Sequence, residues 1–273
     1  MGRSLNSLEQ SLCEAVDAQF DEEHLPWFRR LVNQPSHTAA REDVEAAASI
    51  VDAQLQRIGM RRTLVEDPDG VFADHRIFSS SAIDDGERGF ALVGHVDTVF
   101  PRSTGFLEFR RDPPDSESGG DVVRGPGVLD MKSGLSVIVF ALTTVQRVAP
   151  EVFERLKLRF FMNTDEEVGS PTSNAMFKEL APRITQAMVF ECGRDEDRII
   201  TSRRGSATFT LRVTGRAAHA GNDHASGLNA IHVLALLIPR VEALTDYASG
   251  TTVNVGLVEG GSAKNTVPES ASC

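Results

Sequence analysis

The sequence predicts an α/β fold: a three-layer sandwich with a mostly parallel sheet, joined to a partial α+β, ferredoxin-like domain. Three observations predict it. Segments with strand character alternate with segments of helical character through residues 1–198, as in strands linked by crossover helices. The segment GFALVGHV (89–96) is almost wholly apolar, which suits a strand buried on both faces of a sheet. Beyond about Ile199 the pattern becomes polar–apolar alternation, the mark of a sheet with one wet face. The expected boundary therefore divides residues 1–198 from 199–273.

Apolar residues at helical spacing from Leu5 to about Val32 predict a helix, with Pro26 as kink or boundary. The turn NQPSHT precedes a second helix, Arg41 to Ile58, closed by Gly59. Strands are expected at Arg62–Val65 and Val71–Phe78, then at GFALVGHV. Pro, Gly, Ser and Asp make Arg110–Gly127 a loop. DMKSGLSVIVFALTTVQRV begins a helix that is apolar nearly all round, hence buried. RLKLRFFMN is a strand, SNAMFKELAP a helix and QAMVFECG a strand. In the second domain, SATFTLRVTG and TTVNVGLVEGG read as strands around a helix from Gly227 to Leu244, and a further strand begins near Lys264.

The chain has 273 residues, 41% hydrophobic and 25% charged, an ordinary balance for a soluble globular protein. A net charge of −11 argues against binding a phosphate backbone, so no nucleic-acid partner is expected. The N-terminus has no apolar leader core, and the run LSVIVFAL is too short to span a bilayer, so no signal peptide and no membrane partner are expected. Cys13, Cys192 and Cys273 are scattered and suit a reducing cytoplasm.

Four segments carry chemistry. In Gly94-His95-Val96-Asp97, an extended backbone projects His95 and Asp97 to the same side. A metal-bound imidazole gives its other N–H to a carboxylate or carbonyl, yet polar pairs are also common at strand ends. In Gly125-Pro126-Gly127-Val128-Leu129-Asp130, Asp130 stands before a helix, where it suits either an N-cap or a metal ligand. In Asp165-Glu166-Glu167, an acidic run is either a solvated turn or, at the end of a strand, a ligand set. Glu191 follows the apolar strand AMVF. Together, His95, Asp130, Glu166, Glu167 and Glu191 lie where strand ends of a parallel sheet share one edge. Clustered carboxylates do not stay ionised together without cations, and one imidazole with carboxylates suits zinc.

The segments GHVDTV, GPGVLDMKSG, NTDEEVGS, VTGRAAHAG and GGSAKNTVP resemble the zinc-dependent family of glutamate carboxypeptidase, acetylornithine deacetylase, succinyl-diaminopimelate desuccinylase and aminoacylase. The glutamate-carboxypeptidase-like branch is the most similar. The resemblance implies hydrolysis of an amide bond in a peptide or N-acyl amino acid, with two Zn2+ per subunit. Cobalt or manganese also occupy such sites. It implies that His95 and Glu191 bind one zinc, that Asp130 bridges both, and that Glu167 binds the second. It likewise implies that Asp97 orients His95 and that Glu166 is the general base. His219 and Asn265 resemble substrate-binding residues; read alone, they are a loop histidine and a turn residue. A cis peptide at Asp130–Met131 and a homodimer formed through the lid domain are also implied. The family supplies a last histidine to the second zinc, and an arginine for a substrate carboxylate, from positions beyond the equivalent of Cys273. The sequence is therefore expected to be C-terminally incomplete; the alternatives to a carboxypeptidase are a deacylase of the acetylornithine or succinyl-diaminopimelate type and a catalytically incompetent, truncated metal-binding fragment.

Overall fold

Asn6 and Glu9 cap each other's backbone and open helix α1 (Ser7–Gln19) in the computed structural model, which describes residues 4–112, 122–193 and 199–273. The chain divides into two units, Met1–Ile199 and Ile200–Cys273. The long N-terminal helix expected from the sequence is present as α1 and α2 (Leu25–Asn33) joined by a π-helical turn at Phe20–His24, and Pro26 sits in the first turn of α2. Helix α3 (Arg41–Arg57) ends just before Gly59, whose φ of 88° is left-handed.

Strands β1 (Arg61–Val65) and β2 (His75–Ser79) follow. The strand expected from Val71 starts only at His75, because the Asp67 carboxylate accepts the N–H groups of Val71 and Phe72 and holds that stretch in a turn. Next come β3 (Gly89–His95) and a short hairpin of β4 (Arg110–Asp112) and β5 (Val122–Arg124). The hairpin occupies both ends of the expected loop; its middle, 113–121, lies outside the described residues. Helix α4 (Ser133–Val148) begins three residues after Asp130, and Asp130 and Met131 have non-helical backbone angles. Then come α5 (Pro150–Phe153), β6 (Leu158–Asn163), α6 (Ser173–Leu180) and β7 (Ile184–Val189).

The five-stranded sheet has the order β1-β2-β6-β3-β7. Its parallel part is β6-β3-β7; β1 and β2 join antiparallel. On one face Phe78, Leu92, Phe160 and Met162 meet Val51 and Leu55 of α3 and Leu135 and Ile138 of α4. On the other, Ile77, Ala91 and Phe161 meet Met176 of α6. Successive residues of β6 thus enter opposite cores, so the strand is buried throughout. Each such side chain, fully buried, contributes roughly 1.5–3 kcal/mol of transfer free energy. The stretch Val128–Val148 is 21 residues long with mean hydropathy 1.6, so by length and composition it passes as a membrane span. Its apolar side chains Leu135, Ile138, Val139, Phe140 and Leu142 are instead taken up by the core of this unit.

In the second unit, β8 (Arg212–Thr214), β9 (Glu259–Gly260) and β10 (Ser270–Ser272) form an antiparallel sheet in the order β8-β10-β9. Helix α7 (Ala230–Glu242) is capped by Asn229 and packs Ala230 and Leu234 against Ala271. The strands expected over 206–215 and 251–261 shrink to these short ladders, and the one expected near Lys264 begins at Ser270.

Candidate active site

The parallel strands β6, β3 and β7 run the same way, and their C-terminal ends bear the candidate residues at one edge of the sheet. His95 is the last residue of β3. Glu166 and Glu167 follow β6 in a short helical turn. Glu191 lies two residues past β7. Asp130 comes to them from the loop before α4, where Gly127 turns the chain at φ 69° and the Asp130–Met131 peptide is cis. Asp130 is no helix cap; its carboxylate faces His95. Gly134 permits this approach: a Cβ there would lie 2.0 Å from the Phe190 carbonyl oxygen, so only glycine lets α4 start against the end of β7.

His95 is buried. Its Nδ1 lies 3.0 Å from the Asp97 carbonyl oxygen and 3.3 Å from Asp97 Oδ1. Its Nε2 lies 3.1 Å from Asp130 Oδ1, 3.7 Å from Glu191 Oε1 and 3.9 Å from Glu166 Oε2. The ring is therefore held by Asp97 at one nitrogen and surrounded by carboxylates at the other. Ligating atoms within 4.8 Å of one another group His95 with Asp130 and Glu167, and His95 with Glu166 and Glu191. Cys192 joins Asp130 and Glu191 in a third such group. Among the described residues, His95 is the histidine of these groups.

The electrostatics report crowding. Burial disfavours the charged imidazole, but Asp97, Glu191 and Glu166 outweigh it and push His95 up to about 9. Burial, together with Asp130, Asp97 and Glu166, pushes Glu167 up to about 7 against the pull of His95. Burial, with Asp130 and Glu166, also raises Glu191. Carboxylates that suppress one another's ionisation around a buried imidazole are relieved by a cation, so this donor set fits a divalent metal ion.

Several positioning residues gave no distinct signal in the sequence. Asp165, first of the acidic run, is fully buried and accepts from the backbone and hydroxyls of Thr172 and Ser173, with the Ser173 hydroxyl at 2.6 Å. It anchors the turn that carries Glu166 and Glu167. The ring nitrogens of His75 lie 2.9 Å from the Thr164 and Thr172 hydroxyls on either side of that turn. Lys132 is fully buried and donates to the carbonyls of Leu31 and Gln34 at the end of α2; burial lowers its pKa to about 7.

In the second unit, His219 and Asn265 are exposed and lie on paired segments: Ala220 N–H donates to the Asn265 carbonyl, and His219 bridges to Thr266. The His219 Nδ1 accepts from the N–H groups of Gly221 and Asn222, which puts its proton on Nε2.

The peptidase dimerisation domain family matches residues 201–273. Carboxypeptidase G2 of Pseudomonas sp. strain RS-16 is 28% identical over 245 residues, 89% of this chain and 57% of that protein. Residues 201–273 are thus matched to the peptidase dimerisation domain family, and the chain as a whole is similar to a carboxypeptidase. Among solved structures, a tripeptidase from Staphylococcus aureus superposes with a TM-score of 0.66 at 19% identity, covering 92% of this chain and 64% of that one. A dinuclear metal-binding peptidase of the M20 family from Bacillus subtilis gives 0.54 at 14% identity, over 94% and 63%. The chain spans somewhat over half the length of carboxypeptidase G2.

Proposed function

We propose that this chain is of the M20 peptidase type and carries the metal-binding core of a hydrolase that cuts a terminal amide bond in a peptide or N-acyl amino acid, with carboxypeptidase action as the leading reading. One observation supports it above the rest: a buried imidazole, held by Asp97 at Nδ1, presents Nε2 to Asp130, Glu191 and Glu166. The likeness to carboxypeptidase G2 supports the same substrate class.

In this reading His95, Asp130 and Glu191 hold one zinc ion, and Asp130 and Glu167 hold a second; cobalt or manganese suit the same donors. When bound, such ions supply Lewis acidity toward the scissile carbonyl and lower the pKa of water. Asp97 keeps the His95 proton on Nδ1, leaving Nε2 as a ligand. The Glu166 carboxylate, about half exposed, takes the proton of the attacking water and passes it to the nitrogen of the departing amine. His219, with its proton on Nε2, is a donor for the oxyanion of the substrate, and Asn265 is a further substrate contact. We also read residues 201–273 as the homodimer interface and the chain as cytoplasmic.

The test is hydrolysis of peptides with a C-terminal glutamate and of N-acyl amino acids by zinc-loaded protein. Glu166→Ala is expected to lose about 10²–10⁴-fold in kcat while metal analysis finds its zinc retained. Undiminished turnover in that variant rules out Glu166 as the base.

A further inference from the structure

Asp97 is fully buried, and both of its carboxylate oxygens are occupied. Oδ1 lies 3.3 Å from His95 Nδ1 and accepts the Glu166 N–H at 3.3 Å. Oδ2 accepts the Glu167 N–H at 3.2 Å and the Thr38 hydroxyl at 2.8 Å. The first three of these groups lie on the strand ends that bear the candidate metal centre. Thr38 comes from elsewhere, the segment between α2 and α3.

We infer that Thr38 is a positioning residue for the metal centre, its hydroxyl fixing the rotation of the Asp97 carboxylate and, through it, both His95 and the Glu166–Glu167 turn. The inference rests on reading these residues as a metal centre. Carboxylate torsions are broad and roughly two-fold, so a buried carboxylate takes its angle from its donors. The Thr38 contact is the shortest of those on Asp97, and it comes from a side chain whose β-branching stiffens χ1. Thr38 is itself pinned. Its N–H donates to the Thr98 carbonyl at 3.2 Å, and the Thr98 N–H donates to the Ser36 carbonyl at 2.8 Å. Residues 36–38 therefore strap the end of β3, and the hydroxyl, on a residue 3% exposed, has Asp97 as its acceptor in place of water. A purely structural strap would need the shape of Thr38. A positioning role needs its O–H.

Two variants separate these. Thr38→Val keeps the shape and removes the donor; Thr38→Ser keeps the donor and removes a methyl group. Zinc affinity is measured by competition with a chromophoric chelator, alongside thermal unfolding of the chelator-stripped protein. Loss of the partner that hydrogen-bonds a metal ligand typically costs about 10–100-fold in affinity, and Thr38 acts one hydrogen bond further out, which sets the expected loss at the low end, about tenfold. Thr38→Val is expected to show such a loss, and Thr38→Ser to stay near wild type. If Thr38→Val does not fold, Thr38→Ala replaces it with the same order required. Equal weakening in the hydroxyl-bearing and hydroxyl-free variants, or weakening that merely follows lost stability of the stripped protein, overturns the inference alone. Failure of the wild type to bind zinc overturns the metal-centre reading and the inference with it.

Discussion

His95 and His219 are the same side chain held in opposite hydrogen-bonding states. Each has its Nδ1 engaged. In His95 that nitrogen faces the carbonyl and carboxylate of Asp97, so it carries a proton and Nε2 is left with a lone pair for a cation. In His219 the same nitrogen faces two backbone N–H groups, so it accepts, and Nε2 carries the proton. The first arrangement is built from residues distant in sequence and sealed in the core. The second is a local turn on the surface of its unit. A ligand for a metal must be held against the pull of several carboxylates, which takes a buried scaffold. A donor to a transient oxyanion needs only the right tautomer and an open face.

The largest expected effect breaks the comparison on the exposed side. His219→Ala should cost about 10²–10³-fold in kcat, as loss of an oxyanion donor does, with zinc content unchanged by metal analysis. If that variant loses zinc instead, the two histidines do not divide the labour as described. On the buried side, Asp97→Asn should weaken zinc binding by about 10–100-fold in chelator competition. The smallest effect concerns pH in the metal-free protein. Glu167 is raised from 4.5 to about 7 and His95 from 6.5 to about 9. Each group binds its proton more tightly folded than unfolded. Each therefore contributes stability that is present below its unfolded pKa and is lost as pH rises through its folded pKa. The urea midpoint of chelator-treated protein should fall between about pH 4.5 and 9. With zinc present this slope should reverse, because ligation needs the deprotonated groups.

The first unit was largely legible. An apolar run bounded by loops, as in GFALVGHV, has few ways to hide except between two helical layers, and Gly59 marks its helix end by backbone freedom alone. The second unit was legible in kind but not in extent. Alternation over SATFTLRVTG and TTVNVGLVEGG permits a strand, but a ladder also needs a partner in register, and the one formed pairs only Arg212–Thr214 and Glu259–Gly260 with Ser270–Ser272. At the site, the residues with chemistry at their tips stood out as a set, since one imidazole and four carboxylates gathered at one sheet edge make a pattern that no single polar pair makes. The groups that aim them did not. Thr38 meets Asp97 across 59 positions and His75 meets Thr172 across 97, separations at which local pattern carries no information.

Lys132 has a consequence for how small this protein can be made. Its amine reaches back 101 and 98 positions to the Leu31 and Gln34 carbonyls, beneath the loop that bears Asp130. The leading helices thus act as the footing of that loop. A shortened version starting at the first strand would strip this amine of both acceptors and loosen the loop that bears Asp130. The smallest stable version of the first unit therefore starts upstream of Leu31, and its first strand is not its first essential part.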